Sequence, residues 1–493
     1  MHSSIRRVLV AIFAMFFLIV PPGLWAQSGN GGTIDGIVTD RTGAILPGAT
    51  VSIQNPVSGY AKTTTTDSTG HYQITNLPFN PYHMVVSEAG FASTTTDVEV
   101  RSSVPVTVKT VLTVGSASTE ITVTGGDLVE SDSTFHTDLD RKMFNKLPLE
   151  SQSSSLSSLV TLSSPGVAAD SNGLFHGLGD HASNSFSIDG QPITDQQSKV
   201  FSNQIPSHAI QSIEVISGAP PAEFGDKTSL VIVATTRSGQ GITTPTGSIT
   251  SSYGSFGSAT GAFDLSYGGQ NWGNFIEVDG LNTGRFLDPP EFVVFHDKGN
   301  EQNLFDRVDD QLTAADSIHL NLNYSRSWFQ NPNAYDNLNI QNVVSGGATS
   351  NPVFGNVGDT DQRSKIETFD IAPTYTRIVG ANSVFNFGPY IRKDFYNYYP
   401  SGNPLADRGP ANLQNQTIGQ NRTLTNFGFH TDLSYVKGIH NIKAGGVYEQ
   451  TLLREHDTLA VVSPFFNAPC VDNLVDNAPQ AGFSDPSQCA ASG

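Results

Sequence analysis

From about position 246 onward the chain alternates apolar and polar residues, and this pattern limits its possible folds more than any other feature. Phe263, Leu265 and Tyr267 are separated by Asp264 and Ser266, and Ile318, Leu320, Leu322 and Tyr324 by His319, Asn321 and Asn323. Phe369, Ile371 and Tyr375 with Asp370 and Thr374, then Phe427, Phe429, Leu433 and Tyr435, continue the theme. A period of two places successive side chains on opposite faces of a strand, so this half of the chain is antiparallel β structure. Short joints at Gly268–Asn271, Thr313–Ser317, Val379–Asn382 and Lys437–His440 contrast with long polar loops at Leu287–Gln302, Pro332–Lys365 and Tyr398–Arg422. Short turns on one side and long loops on the other are the pattern of a transmembrane β-barrel, with apolar residues toward lipid and polar ones toward the lumen. A soluble sandwich alternates in the same way, but tyrosine and phenylalanine near the strand ends favour interfacial girdles.

About nine strands of ~10 residues fit into 246–493. An open sheet edge in lipid would leave backbone groups unpaired at high cost. The expectation is a partial barrel over 246–493, belonging to the N-terminal portion of a longer protein.

The N-terminus reads as an export signal over 1–26. Arg6 and Arg7 precede the apolar run Val8–Val20, Pro21-Pro22-Gly23 breaks it, and Ala26 is a small residue suited to cleavage. As a membrane anchor the run falls short of the ~20 residues a spanning helix needs. No other segment approaches that length, so any crossing must use strands. A net charge of −19 argues against nucleic acid or an anionic membrane surface as partner. The two cysteines, Cys470 and Cys489, lie in a late Pro- and Asn-rich stretch. Their spacing fits no metal motif, and in an exported chain they are candidates for a loop disulfide.

Residues 33–114 read as a compact β-sandwich of about seven short strands. Ile34–Thr39, Leu46–Ile53, Thr63–Thr66, His71–Ile74, Asn76–Pro78, Tyr82–Ser87 and Val104–Val114 carry the strand patterns, with turns at Asp40–Gly43 and Asp67–Gly70. Gly36-Ile-Val-Thr-Asp40, Pro47-Gly-Ala-Thr-Val51, Gly70-His-Tyr72 and Gly90-Phe91 resemble the carboxypeptidase regulatory-like, or carbohydrate-binding-like, domain. The resemblance implies an accessory sandwich without peptidase chemistry. Tyr60 or Tyr82, if exposed, would suit stacking on a sugar; buried packing is the alternative.

Residues 115–137 form a polar linker containing Glu120, Ile121, Thr122, Val123, Thr124 and Gly125. Such a strand either pairs within its own domain or adds to the edge of another protein's sheet. Residues 138–241 then form a small α/β unit. A helical pattern runs from Asp138 to Leu162, with Leu156, Leu159 and Val160 on one face and Pro165-Gly166 as the stop. Phe186 and Ile188 lead into the tight turn Asp189-Gly190. A helix-like turn over Pro206–Ser212 precedes a strand at Ile213–Ser217. Leu230–Ala234, apolar on both faces, reads as a buried central strand.

Ordered motifs here resemble the plug domain of TonB-dependent outer-membrane receptors. They are Lys146-Leu-Pro-Leu149, Leu159–Leu162 with Pro165-Gly-Val167, Phe186-Ser-Ile-Asp-Gly190 and Ile210–Val215. Gly218-Ala-Pro220, Ala222-Glu-Phe-Gly225 and Val231–Gly239 complete the set. Together with the N-terminal sandwich they point to the Oar-like members. Ser229-Leu230 stands where the family usually has a glycine pair before the last plug strand. The resemblance implies a plug motif carried by Asp189, Gly190, Glu214, Gly218, Pro220, Glu223, Phe224 and Gly225. It also implies that Glu120–Gly125 serves as the TonB box.

The fold class expected is therefore multidomain: a β-sandwich, a small α/β plug, then the first part of an antiparallel transmembrane β-barrel. The function implied is energy-coupled uptake across the outer membrane, with the sandwich in the periplasm. The partners implied are an inner-membrane TonB-type energy-coupling protein, outer-membrane lipid and an unidentified small ligand or oligosaccharide. The alternative is a non-transporting envelope or surface protein that binds glycans or protein partners through the sandwich. No catalytic motif or cofactor site is read: His176 and His181 suit a polar plug surface, and Asp359 and Asp361 suit a solvated loop better than a calcium contact.

Overall fold

The computed structural model describes residues 31–55, 60–115, 136–144, 146–147, 155–169, 175–177, 184–193, 205–218, 220–225, 230–287, 294–295, 297–330, 333–334, 362–399, 416–461, 470–472, 478–479 and 489. The export signal, the Glu120–Gly125 candidates, His181, Ser229 and the Asp359–Asp361 loop lie outside the described residues.

The first unit contains β1 (Gly32–Asp40), β2 (Thr50–Gln54), β3 (Ala61–Thr65), β4 (His71–Leu77), β5 (Pro81–Ser87), β6 (Phe91–Ala92), β7 (Thr94–Glu99) and β8 (Val106–Val114). They form two four-stranded sheets, β4-β1-β8-β6 and β3-β2-β5-β7. Alternate residues of both sheets fill one apolar core, including Ile34, Val38, Val51, Ile74, Met84, Val86 and Leu112, each at most 1% exposed. Asn76 and Leu77 continue β4 instead of forming a strand of their own, and β6 and β7 are the strands that the sequence pattern does not show. The expected strand at Leu46–Ile53 begins only at Thr50, because Pro47-Gly48 is a turn with Gly48 at φ 81°. Tyr60 and Tyr82 are buried and meet edge to face at 5.9 Å, so neither presents a ring face for a sugar.

The second unit opens with β9 (His136–Asp140), α1 (Arg141–Phe144) and α2 (Ser155–Ser163). It continues through β10 (Val167–Ala169), β11 (Phe175–Gly177), β12 (Asn184–Ile188), β13 (Gln191–Ile193), β14 (Ile210–Ser217) and β15 (Leu230–Thr236). Its five-stranded sheet has the order β13-β12-β15-β14-β9, with β15 in the middle, parallel to β12 and antiparallel to β14. Leu156, Leu159 and Val160 of α2 are fully buried against this sheet, as their spacing predicts.

Two expectations need correction here. The helical stretch expected from Asp138 starts later, at Arg141: Asp138–Asp140 belong to β9, an edge strand paired with β14, of whose five residues only Leu139 enters the apolar core. One apolar residue gives no visible period, so pairing with β14 rather than pattern makes this strand. Likewise β14 starts at Ile210, because Ile210 as well as Ile213 is core, and the helical turn shrinks to Ser207–Ala209.

The third unit is an antiparallel sheet of nine strands in chain order. These are β16 (Thr246–Tyr253), β17 (Ala259–Gly268), β18 (Trp272–Thr283), β20 (Gly299–Gln311), β21 (Asp316–Gln330), β23 (Arg363–Val379), β24 (Ser383–Tyr399), β25 (Gln416–Lys437) and β26 (His440–Val461). Two small pairs lie outside this sheet, β19 (Val294–Phe295) with β22 (Asn333–Ala334) and β27 (Val471–Asp472) with β28 (Ala478–Pro479). Cys470 and Cys489 are joined by a disulfide.

The strands reach 22 residues and absorb parts of the expected loops, at Gly299–Gln302, Arg363–Lys365 and Gln416–Arg422. Ladder hydrogen bonds are made by the backbone, so they continue where the side chains turn polar. On the convex face Phe263, Val278, Leu304, Val308, Phe369, Ile371 and Ile391 are 39–47% exposed. On the concave face Asp264, Ser266, Glu277, Arg307, Asp309, His319 and Asn321 are buried. No described helix is long and apolar enough to cross a membrane.

The concave face receives the second unit, whose apolar core takes in Phe275 and Phe305 of the sheet. The sandwich meets the short-turn ends of the strands, where Val104 packs with Ile378, Val384 and Val436.

Candidate functional site

The site begins at the turn between β12 and β13. Asp189 and Gly190 have φ of 47° and 83°, the pair of positive values that a two-residue hairpin turn requires. Glycine takes that conformation freely and aspartate tolerates it. The turn aims the Asp189 carboxylate at the end of central strand β15. Its Oδ1 accepts the Thr236 backbone N–H at 3.0 Å and its Oδ2 the Thr236 hydroxyl at 2.6 Å.

The nine-stranded sheet completes the cluster. Arg307 and Asn321 are register partners on β20 and β21, so both side chains point inward from adjacent positions. Asn321 Nδ2 donates to Asp189 Oδ2 at 2.6 Å, and Arg307 Nη1 approaches the same oxygen at 3.5 Å. Arg307 is fully buried. Its Nη1 donates to the Thr236 hydroxyl oxygen at 2.9 Å and to the Thr236 carbonyl at 3.3 Å, while Nε and Nη2 grip Asp309 Oδ1 at 3.0 and 2.9 Å. Ser238 Oγ donates to Asp309 Oδ2 at 2.6 Å. Burial opposes ionisation of Asp189, yet the Arg307 guanidinium and the Thr236 hydrogen bonds hold its carboxyl below the ordinary value.

Thr236 is the point where all three units meet. Its carbonyl oxygen accepts Asn76 Nδ2 of the sandwich at 3.0 Å as well as Arg307 of the sheet. Other contacts surround this centre. Arg237 pairs with Asp264 at 2.8 Å and lies 4.4 Å above the Phe275 ring. Gln191 Nε2 donates to Asp370 at 2.8 Å, and Glu223 pairs with Lys443 of β26.

The structure distributes the sequence-derived residues unevenly. Asp189 is at the centre and Gly190 shapes its turn. Glu223, exposed in a short helical turn with Phe224, ties the second unit to β26. Gly218, at φ 99°, ends β14 ahead of Pro220, and Gly225 lies in open surroundings. Glu214 faces elsewhere: it lies opposite Asp138, toward the sandwich.

Sequence reasoning missed Arg307, Asp309, Asn321 and Asn76. The signal available was parity, since Phe305, Arg307 and Asp309 alternate with outward-facing Leu304 and Val308. An arginine on the inward parity of a strand is costly to bury unless paired.

This arrangement can hold and release without covalent chemistry. Asp189 keeps Thr236 within the plug and Arg307 keeps Asp309 within β20, so displacing β15 from the sheet breaks the contacts of Arg307 with Thr236 and Asp189, of Asn321 with Asp189 and of Ser238 with Asp309 together. Such a network is strong when complete and fails as a unit.

Residues 33–113 match the carboxypeptidase regulatory-like domain, and residues 136–229 match the TonB-dependent receptor plug domain. No curated protein matches the chain. Among solved structures, the ferripyoverdine receptor of the outer membrane of Pseudomonas aeruginosa is 13% identical at a TM-score of 0.50, covering 66% of this chain and 43% of that one. The ferric-catecholate import receptor Fiu from E. coli K12 is 14% identical at 0.49, covering 65% and 50%. The alcaligin outer-membrane receptor FauA from Bordetella pertussis is 11% identical at 0.46, covering 67% and 49%. At such identities the likeness is one of fold, and the chain spans about half the length of these receptors. The chain therefore carries a TonB-dependent receptor plug domain, seated on the inner face of an antiparallel β-sheet, with a carboxypeptidase regulatory-like domain ahead of it.

Proposed function

We propose that this chain serves energy-coupled uptake across the outer membrane, with the plug as a gate that is moved and not dissolved. The observation that carries this reading is the Asp189–Thr236–Arg307–Asp309 cluster. It fastens the plug's central strand to the wall through a few buried polar contacts, which form one releasable unit. The wall's outward apolar face suits lipid, and its inward polar face suits an aqueous path. In this reading the sandwich lies on the periplasmic side, where the short turns are, and Glu120–Gly125 is the segment engaged by a TonB-type inner-membrane protein. The cargo is a small ligand or oligosaccharide whose chemistry the described residues do not specify.

The test is capture of full-length receptor in detergent by the periplasmic domain of a TonB-type coupling protein. Ile121→Pro with Val123→Pro removes strand-forming backbone donors, so capture should fall at least tenfold. Unchanged capture, together with unchanged uptake by cells expressing the double variant, would overturn coupling through this segment.

A further inference from the structure

A second polar cluster lies away from the plug–wall cluster, at the seam between sandwich and plug. His136 and Asp138 stand two residues apart on β9 and so share a face, and Glu214 on β14 is the register partner of Asp138. One ligand-type atom from each of the three lies within 4.8 Å of the others. The His136 and Asp138 side chains are 8% and 16% exposed, with His136 Nε2 3.8 Å from Asp138 Oδ2. Two carboxylates directly opposite on neighbouring strands repel, more so when sheltered from water. A cation between them reverses that sign.

An independent feature lies beside the cluster. A cavity of about 50 Å³ separates the sandwich from the plug, bordered by Asp138 and Glu214 on one side and by Asn80 and Tyr60 on the other. One water needs about 10–15 Å³ on this measure, so there is room for the waters that complete an ion's coordination. Asn80 Nδ2 donates to Asp138 Oδ2 at 2.8 Å and thereby orients the carboxylate from the sandwich side. Metal ligands are commonly fixed by such outer partners.

We propose that His136, Asp138 and Glu214 bind a divalent transition-metal ion of the zinc class at the sandwich–plug seam. One imidazole nitrogen with two carboxylate oxygens suits Zn²⁺ better than Mg²⁺ or Ca²⁺, which prefer all-oxygen shells. Three protein ligands leave a position for water from the cavity. A bound ion would clamp edge strand β9 to β14 and, through Asn80, to the sandwich. Since β9 follows the linker with the coupling candidates, occupancy would set how pull on that linker reaches the plug sheet. That last consequence rests on the proposed coupling; metal binding does not.

The test uses the full chain in detergent, stripped with chelator and titrated calorimetrically with Zn²⁺ in the presence of excess Mg²⁺. A saturable site of one equivalent is expected, weakened at least tenfold by Glu214→Gln or by His136→Gln and unaffected by His440→Gln, at an exposed histidine on β26. Asn80→Ala should weaken it about 10-fold or more, as outer-shell changes do. Zn²⁺ should also slow hydrogen exchange of the β9 amides in the unmodified chain, a readout that needs no variant to fold. Absence of a saturable site, equal binding by both ligand variants, or β9 exchange indifferent to Zn²⁺ would each overturn the proposal. Failure of the coupling test would leave these outcomes unchanged, so the two ideas fail separately.

Discussion

The sandwich and the plug are both small β units, yet they are held together differently. The sandwich core comes from the sandwich's own residues: those from Ile34 to Leu112 make one apolar cluster. The plug borrows. Its apolar cluster includes Phe275 and Phe305 of the wall, and its polar centre needs Arg307, Asp309 and Asn321 from the same sheet. Apolar burial is non-directional and tolerates small shifts, whereas a buried ionic network depends on every partner keeping its place. The sandwich is therefore built to stay folded while the plug is built to be complete only in one position.

The sharpest way to break that comparison is Arg307→Met. It leaves Asp189 and Asp309 buried without their cation, and removing one partner of a buried pair costs about 3–5 kcal/mol. Hydrogen exchange at the Ile232–Thr236 amides should then accelerate on the order of 100-fold or more, while β1 and β8 of the sandwich keep their protection. Equal loss in both units would show that they unfold together and that the contrast is false. The reverse experiment is Leu112→Ala, which empties a fully buried site in the sandwich at a cost of about 2–5 kcal/mol. Proteolysis within the sandwich should increase while the β15 amides stay protected, apart from the tie between Asn76 and Thr236. A smaller effect is expected from Gly190→Ala, where φ of 83° costs an L-residue about 1–2 kcal/mol. That loss should appear at β12 and β13 and nowhere in the sandwich.

The same contrast explains what the sequence made legible. The sandwich, the α2 face, the Asp189-Gly190 turn and the nine alternating strands each follow from local periods and turn chemistry, so they can be read from neighbouring residues. Strand β9 cannot, because its one core residue, Leu139, gives no period and its existence depends on pairing with β14. The same holds for the partners of Asp189. Its carboxylate meets Asn321, 132 residues later, and Arg307, 118 residues later. No local rule links an Asp-Gly turn to an arginine in a distant strand. What was available was the arginine's parity, which demands a counter-charge on the inward side without naming it. Glu214 shows the converse: it was singled out by resemblance, but its register partner Asp138 turns it toward the sandwich, not the wall.

The smallest expected effect separates the two units by sign. In the sandwich, His71 Nε2 lies 3.0 Å from Asp35 Oδ2, and this hydrogen bond raises the imidazole above its ordinary value against the opposing pull of partial burial. A histidine whose folded value is raised contributes stability that is full below about pH 6.5 and is lost as pH rises through the folded value. In the plug, burial lowers His208, and Arg141 and Arg237 nearby add to the effect, against the pull of Asp264. Glu277 of the wall also faces it, with Oε1 4.0 Å from Nδ1. Its neutral form is favoured, so its contribution is full above about pH 6.5 and falls as the unfolded chain takes up the proton below that. Asp40 and Asp67, both lowered in the sandwich, act only below about pH 4 and stay silent in this window. Acidification from pH 8 to 5.5 should therefore protect the β1 and β4 amides slightly while loosening those of β14. His71→Gln should abolish the first trend and His208→Gln the second. If both units instead shift in the same direction, and each variant leaves its trend intact, neither histidine is the group responsible and the electrostatic half of the comparison fails.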